Sequence, residues 1–593
     1  MYYIGDIFIN MYSDLPLKKF LNALTIEEKK FIPHLASDKI GLILRSSINE
    51  LDWYYYNLAN TKNPTHEQQE QFYLLKLGVV RLIQLSLDSR ESFDVPTVMF
   101  RREYGLTIHV LEIAAALGMI EHGRRVAQTV SMGIGQIEQI TENEFLITLP
   151  ETIPDDDYYE RAINQHYVLE YRKWFAKVLR SDSMKKLEKE VDKKLYELVF
   201  PFETYYIGYG ADPLLDNYFF DIANFELQLQ EGFDTFHYKT RFGGIFYQHY
   251  VLALNFLMSN YFRHERFAEA LIKKDSNIKL ENILTISSNT DEFIESIQEA
   301  VNYFGSEFKD FEKINFMEAR RIFEILSCSR KNTSILSTPG SPLPLIVQSS
   351  ATGFIRCLTG AHSEPMRFLL KSLRYHFPTE YDKNQQTREK SLQNAIKRVL
   401  NEVLKELKYK ENIKIKLEDK ILTDIDLLVS EEQTGVIILC QLKHQELYGF
   451  DQKEQNTRTK RLQKQVKTWI DSLNYWRKVL GENGIRTALR LPNNFPTLSI
   501  YFLIISRHYC YSVKELITTD DTIYANWLQF VNAIELLKLK KTDIQLKDLI
   551  EILMKVKSEA DNPQHYQPEP RSEWIINELK YTTIQENSET TIN

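Results

Sequence analysis

Two pairs of polar residues in the C-terminal third have the types and spacing for phosphoryl chemistry. Asp424 and Asp426 lie two apart in Thr423-Asp424-Ile425-Asp426-Leu427-Leu428-Val429, and Gln441 and Lys443 repeat the interval in Ile438-Leu439-Cys440-Gln441-Leu442-Lys443. Residues two apart in a strand share a face, which sets both aspartates on one side and Ile425 and Leu427 on the other. If the two strands pair as a hairpin, an acid, an amide and an ammonium group converge at one sheet edge. Phosphodiester hydrolysis uses a divalent ion to bind a phosphate oxygen and acidify a water, and hard Mg²⁺ prefers carboxylate and carbonyl oxygens. Asp426 would be the anionic ligand, Gln441 would offer its amide oxygen, and the Leu442 backbone carbonyl would add another. Lys443 would orient the water or stabilise charge growing on the phosphoryl group.

The elements that must position these residues can be read in order. From Glu389 to Leu407 the apolar residues Leu392, Ile396, Val399, Val403 and Leu407 recur every three to four positions, which predicts an amphipathic helix. Ile413 to Leu417 and Ile421 to Val429 read as strands broken at Glu418-Asp419. Val436 to Cys440 is a continuous apolar run, as expected of a strand buried on both faces. A helix from about Thr457 to Leu480 and a strand from Leu498 to Ser506 follow. The predicted order is helix, three strands, helix, strand.

This order, with the Asp-x-Asp and Gln-x-Lys runs, resembles the PD-(D/E)XK nuclease superfamily, and the Gln-x-Lys form is like that of Mrr-type restriction endonucleases. The resemblance covers the region from about Arg388 to Arg507. It implies an α/β restriction-endonuclease-like domain with metal-dependent endonuclease activity, Mg²⁺ as cofactor with Mn²⁺ as a substitute, DNA as substrate, and restriction or antiviral defence as the setting. Asp426 matches the metal-binding aspartate, Gln441 the acidic-or-glutamine position and Lys443 the lysine. Glu389 sits where many members carry an additional metal-binding glutamate; it reads equally well as an N-terminal helix charge favoured by the macrodipole. Gln465 and Trp469 resemble a variant of a Gln-xxx-Tyr motif, although Gln465 also reads as an ordinary polar residue on a helix face. The chain departs from the pattern in lacking a proline before the acidic residue and in carrying glutamine for glutamate.

The helix after Lys443 adds charge. Between Lys453 and Lys478 it holds Arg458, Lys460, Arg461, Lys464, Lys467 and Arg477 against only Glu454 and Asp471, a run suited to salt-dependent contact with a phosphate backbone. The competing reading is a catalytically inactive nuclease-fold protein that binds nucleic acid or assembles, which Gln441 makes credible; RNA is the alternative substrate.

Over the whole chain of 593 residues the formal net charge is −8, so nucleic-acid binding must come from a local patch. A hydrophobic share of 43% and an aromatic share of 12% fit a folded, multidomain protein. The four cysteines, Cys328, Cys357, Cys440 and Cys510, stand singly and suggest neither zinc nor disulfides. No long apolar run or signal-like start is evident, which suggests a cytoplasmic protein without membrane partners. No nucleotide-binding glycine loop or Gly-x-Ser-x-Gly motif is present.

Residues 1–335 are expected to be mainly helical; near 100–150 a helix over Leu111 to Leu117 ended by Gly118, then a hairpin over Gln136 to Leu149, resembles a winged helix but reads more readily as part of an ordinary mixed domain. This region would recognise a regulatory partner or drive homo-oligomerisation. Three prolines and a glycine between Ser337 and Pro344 suggest a linker over 336–386. The nuclease-like domain is expected over 387–515, a helical extension over 516–560 and a flexible tail over 561–593. The aromatic stretch Tyr205, Tyr206, Tyr209, Tyr218, Phe219 and Phe220 reads as core, and His362 and His376 stay unassigned.

Overall fold

The computed structural model describes residues 15–35, 38–90, 92–95, 101–150, 181–203, 205–231, 236–444, 452–492, 495–508, 513, 516–517, 519–540, 543–559 and 571–585. The chain is multidomain: a mainly α-helical N-terminal region with several small sheets precedes an α/β unit. The first body contains α1 (Leu15–Lys29), α2 (Ile40–Asn60), α3 (His66–Ser89) and α4 (Tyr104–Ser131). The sequence suggests a stop at Gly118, yet α4 runs through it. Gly118 and Gly78 of α3 mark the crossing of the two helices: a Cβ on Gly118 would lie 2.2 Å from the Leu74 carbonyl oxygen, and one on Gly78 1.7 Å from that of Ala114. Glycine costs an isolated helix about 1 kcal/mol, and here it permits backbone contact that no other residue allows. Among the described residues α4 is also the one helix long and apolar enough to cross a bilayer; its Val110, Ile113, Leu117 and Ile120 are buried in the first core.

The hairpin after α4 forms as expected, from β1 (Gln136–Thr141) and β2 (Glu144–Leu149). It is not a free wing. Further on lie α5 (Asp182–Leu198), the short hairpin β3 (Val199–Phe202) and β4 (Tyr206–Tyr209), α6 (Pro213–Glu231) and the long α7 (Tyr247–Lys274). The segment read as a linker is instead built into this body: Leu343, Leu345, Ile346 and Val347 are fully buried. Ile346–Gln348, Gly353–Arg356 and Ser287–Asn289 form a three-stranded sheet there, followed by α8 (Pro365–His376). Proline ended the helical pattern without ending the core.

The second body follows the predicted order of elements, with α9 (Pro378–Asn401), β5 (Leu407–Leu417), β6 (Lys420–Glu431), β7 (Val436–Lys443), α10 (Gln452–Ala488) and β8 (Ser499–Ser506). The first helix begins earlier than read and ends at Asn401, and Leu407 starts a strand. Residues 516–560 are not an appended extension. They supply a fifth strand, β9 (Thr522–Asn526), and the helices α11 (Trp527–Lys538) and α12 (Leu546–Glu559). The sheet order is β5-β6-β7-β8-β9, antiparallel at the first two junctions and parallel at the last two. Helices α9, α11 and α12 cover one face through Leu392, Ile396, Phe530 and Leu549. On the other, α10 packs Leu462, Val466, Trp469, Leu473 and Trp476. With both faces covered, β7 is buried almost throughout, which explains its unbroken apolar run.

Helix α9 belongs to both bodies. Tyr381 lies in the first core, Leu392 and Ile396 in a second, and between them the fully buried Arg388 places its guanidinium 4.4 Å from the Phe236 ring centroid.

Within the expected tail, 571–585 forms β10 (Arg571–Ile576) and β11 (Leu579–Gln585); the remainder of 561–593, like Cys510, lies outside the described residues. β11 pairs in parallel with β2, giving the order β1-β2-β11-β10. Tyr581 is fully buried against Phe20, with ring centroids 5.3 Å apart, and donates its hydroxyl to the Met119 carbonyl at 2.8 Å. Tyr581→Ala is therefore expected to cost about 3–5 kcal/mol of stability, the range for deleting a buried aromatic, and Tyr581→Phe about 1 kcal/mol. Urea unfolding of the full chain checks this; an alanine variant as stable as wild type would show that the hairpin does not brace the first body.

Candidate functional site

The ladder between β6 and β7 stops at the pair Leu427–Cys440, whereas β7 keeps pairing with β8 through Lys443. Asp426 and Gln441 are the next residues along, where the strands part. On the other side of β6 the ladder skips the Asn412–Asp426 position: Glu411 pairs with Leu427 and Ile413 with Ile425, while Asn412 takes φ 51. That left-handed conformation suits asparagine better than most residues. The simple alternation expected from the sequence breaks here. Ile425 enters the core under α10, and Leu427 enters the core under α9. Asp426 sits at this change of face.

The Asp426 carboxylate spans the gap. Its Oδ2 accepts from the Leu442 amide and from Gln441 Nε2, both at 2.6 Å, while Oδ1 takes no hydrogen bond from a described residue. Gln441 is buried, 5% exposed, and its amide nitrogen faces Asp426. The sequence reading had its oxygen turned toward a metal. Presenting that oxygen would require turning the amide over and losing this bond, so in this conformation Gln441 holds Asp426 in place.

Helix α9 forms the other wall. Glu389 and Gln393, four apart, share a helix face. Gln393, buried among apolar neighbours, donates from Nε2 to the Asp426 carbonyl at 2.6 Å and accepts from Lys390 Nζ at 2.8 Å. Lys390 and Lys397 also pair with Glu411 of β5. Glu389, Lys390, Gln393, Asn412, Asp426 and Leu442 together line an open pocket of about 150 Å³.

Both carboxyls in the pocket resist ionisation. Burial comes first in raising Asp426, with Asp424 adding to it, against the Leu442 amide, Lys443 and Gln441, which favour the charged form. Glu389 remains solvent-accessible, yet partial desolvation and then the Asp426 charge raise it, with Asp424 adding and Lys443 opposing. Lys443 makes no ion pair with a described residue. Two carboxyls that destabilise each other's charge across a small pocket are what a bound cation relieves.

A divalent ion fits the donor set. Among the described residues Asp426 Oδ1 has no hydrogen-bond donor, Glu389 faces the same pocket, and Leu442 supplies backbone there. Among the described residues no cluster of three or more His, Cys, Asp or Glu has metal-binding geometry, which limits the protein's anionic contribution to the pair. Asp424 is exposed at the rim, and its carbonyl accepts from Trp469 Nε1 at 2.8 Å. Trp469 is therefore a buried anchor between α10 and β6, and Gln465 is exposed.

Lys460, Arg461, Lys464 and Lys467 are exposed on α10 without ion-pair partners among the described residues, and Arg458 is half-buried with contacts of its own. Lys460, Lys464 and Lys467 lie opposite the packed stripe of Leu462, Val466, Trp469 and Leu473. Arg477 leaves the set, because it pairs with Asp521 at 2.6 Å. The two unassigned histidines have local roles in the first body: His362 bonds Glu265 at 3.1 Å, and His376 approaches Asn332 at 3.4 Å.

Sequence reasoning missed Gln393, Lys390 and Asn412. For Gln393 a signal exists, since a polar residue beside Leu392 on a buried helix face asks for a partner; for Asn412 the only hint is asparagine within a strand. The chain matches no protein-family profile, no curated protein and no solved structure.

The raised Asp426 carboxyl makes a pH prediction. Below its ordinary value of 3.8 the group is protonated in both folded and unfolded chains. As pH rises, the unfolded chain loses its proton first, so the ionised side chain costs stability that is fully felt above the folded value. Asp426→Asn should therefore raise the melting temperature in chelator at pH 7, with the difference shrinking toward pH 4. Thermal unfolding of the pair at both pH values checks this, and a variant less stable at pH 7 would contradict a dominant desolvation cost.

Proposed function

We propose that the chain is a metal-dependent nuclease that hydrolyses phosphodiester bonds, with DNA as the preferred substrate. The observation that carries this reading is the meeting of Asp426 and Glu389 in one pocket, where two antiparallel strands part beside Lys443, which pairs with no described carboxylate. The surrounding architecture supports a restriction-endonuclease-like fold: helix, three strands, helix and strand in a sheet ordered along the chain, covered on both faces.

In this reading Asp426 Oδ1, Glu389 and the Leu442 carbonyl hold Mg²⁺, or Mn²⁺ in its place. Bound there, the ion would polarise a phosphate oxygen and acidify a water. Gln441, the Leu442 amide and Gln393 keep Asp426 oriented across the gap. Lys443, with no carboxylate partner among the described residues, stabilises charge on the transferring phosphoryl group. Lys460, Arg461, Lys464 and Lys467, with Arg458, attract the phosphate backbone, and their share weakens with salt. The first body restrains or directs cleavage through a regulatory partner or a second copy. A restriction or antiviral role rests on the family resemblance alone, and a cytoplasmic setting on the scattered cysteines.

The second reading is a nuclease-fold module that binds nucleic acid without cutting it, favoured by Gln441 bonding to Asp426. Cleavage assays on plasmid, linear duplex, single-stranded DNA and RNA with Mg²⁺ or Mn²⁺ separate the two. Asp426→Ala and Lys443→Ala should each lower the cleavage rate by about 10²–10³-fold or more while leaving binding in chelator nearly intact. Binding without cleavage on every substrate and metal would replace the enzyme by the binding module.

A further inference from the structure

The aromatic stretch near residue 205 does not behave as one core. Phe219 and Phe220 are buried, but Tyr196 at the end of α5, Phe200 and Phe202 of β3 and Tyr205 in the turn are 50%, 47%, 47% and 46% exposed. The β3–β4 register explains how. Val199 and Ile207 enter the first core, while Phe200, paired with Gly208, and Phe202 stay exposed; Tyr206, paired with Phe202, packs partly against that core. The Phe200 ring lies over Gly208, where a Cβ would come within 2.4 Å of it. Glycine there lets the ring lie flat along the strand.

All four exposed large apolar residues of this segment are aromatic. Flat π faces of this kind are the surface on which unpaired bases stack. The charges agree. Arg101 sits 5.5 Å from the Tyr205 ring centroid and Lys274 5.1 Å from that of Tyr196, and neither makes an ion pair with a described carboxylate. Lys274 also caps the Tyr196 and Val199 carbonyls at 2.9 and 2.8 Å. Nearby Lys194 and Arg266 are neutralised by Asp212 and Asp192. The face thus combines aromatic rings with the Arg101 guanidinium, which no described carboxylate neutralises, while Lys274 is largely engaged by the two carbonyls.

We propose that the outer face of the β3–β4 hairpin, with Tyr196, Phe200, Phe202, Tyr205, Arg101 and Lys274, binds single-stranded nucleic acid by base stacking. The choice of nucleic acid over another planar ligand rests on the nuclease reading, while the surface itself is separate from Asp426. It would give the first body a direct hold on substrate and a preference for unpaired strands.

The test uses the full chain carrying Asp426→Ala, in chelator, with fluorescent single-stranded and duplex oligonucleotides of equal length. Phe200→Ala with Phe202→Ala should weaken single-strand binding about tenfold or more, as expected for losing a stacked base, and duplex binding far less. Arg101→Gln, which removes the charge and leaves all four rings in place, should weaken it several-fold and make its salt dependence shallower. Oligonucleotides carrying photoreactive iodouracil should crosslink to Phe200, Phe202 or Tyr205. Crosslinks confined to α10, or unchanged affinity in both variants, overturn the proposal while leaving the nuclease reading intact. Loss of self-association without loss of oligonucleotide binding overturns it in favour of a contact between copies. Absence of nucleic-acid binding by the parent chain removes both.

Discussion

The hydrogen bond from the Leu442 amide to Asp426 Oδ2 spans the point where β6 and β7 separate. A buried backbone amide beyond the end of a ladder needs an acceptor, or its desolvation goes uncompensated. Asp426 meets that need with one carboxylate oxygen, and among the described residues the other takes no hydrogen bond. The same constraint that completes the sheet therefore fixes an acidic side chain at the mouth of a pocket. Gln441 bonds the same oxygen and Gln393 the backbone carbonyl, so Asp426 is held from three directions.

Such positioning has an electrostatic consequence. The buried side of the site favours neutral carboxyls, while Lys443 and the hydrogen bonds favour the anion, and Asp426 lies between these demands. Glu389 feels the Asp426 charge across the same pocket. Two acids held at one pocket carry an electrostatic cost that a bound cation would remove, which is consistent with the metal site proposed above.

The path from the first body to the pocket is short because one helix serves both. Helix α9 enters the first core at Tyr381, is clasped by Phe236 through Arg388, and one residue later presents Glu389 to the pocket. Its outer turns are tied by Glu380 to the Gly243 amide at 2.8 Å and by Asn384 to the Arg241 carbonyl at 3.2 Å. A change in the first body that shifts these turns must move Glu389 or bend the helix.

Much of the second body was legible in the chain because its signals are local. Apolar residues every three to four positions marked α9, an unbroken apolar run marked β7, and paired intervals of two marked Asp426 and Lys443. The break in alternation at Asp426 was not legible, since it depends on the left-handed Asn412 opposite and on which core each neighbour enters. The orientation of the Gln441 amide had the same dependence. Further away, Gly118 looked like a helix end because only the α3 backbone pressed against it explains a glycine inside a helix. Ser337 to Pro344 looked like a linker because prolines stop helices without saying whether the resulting irregular segment is buried. The polar C-terminal segment gave no local sign that Trp574 and Tyr581 would find His122 and Phe20. By itself, then, the sequence determined the order of elements and the residue types at the site, since periodicity and chemistry reside in neighbouring positions. Which face each residue occupies, which body each segment joins and where Arg101 meets Tyr205 were decided by tertiary packing, because those relations link positions far apart in the chain.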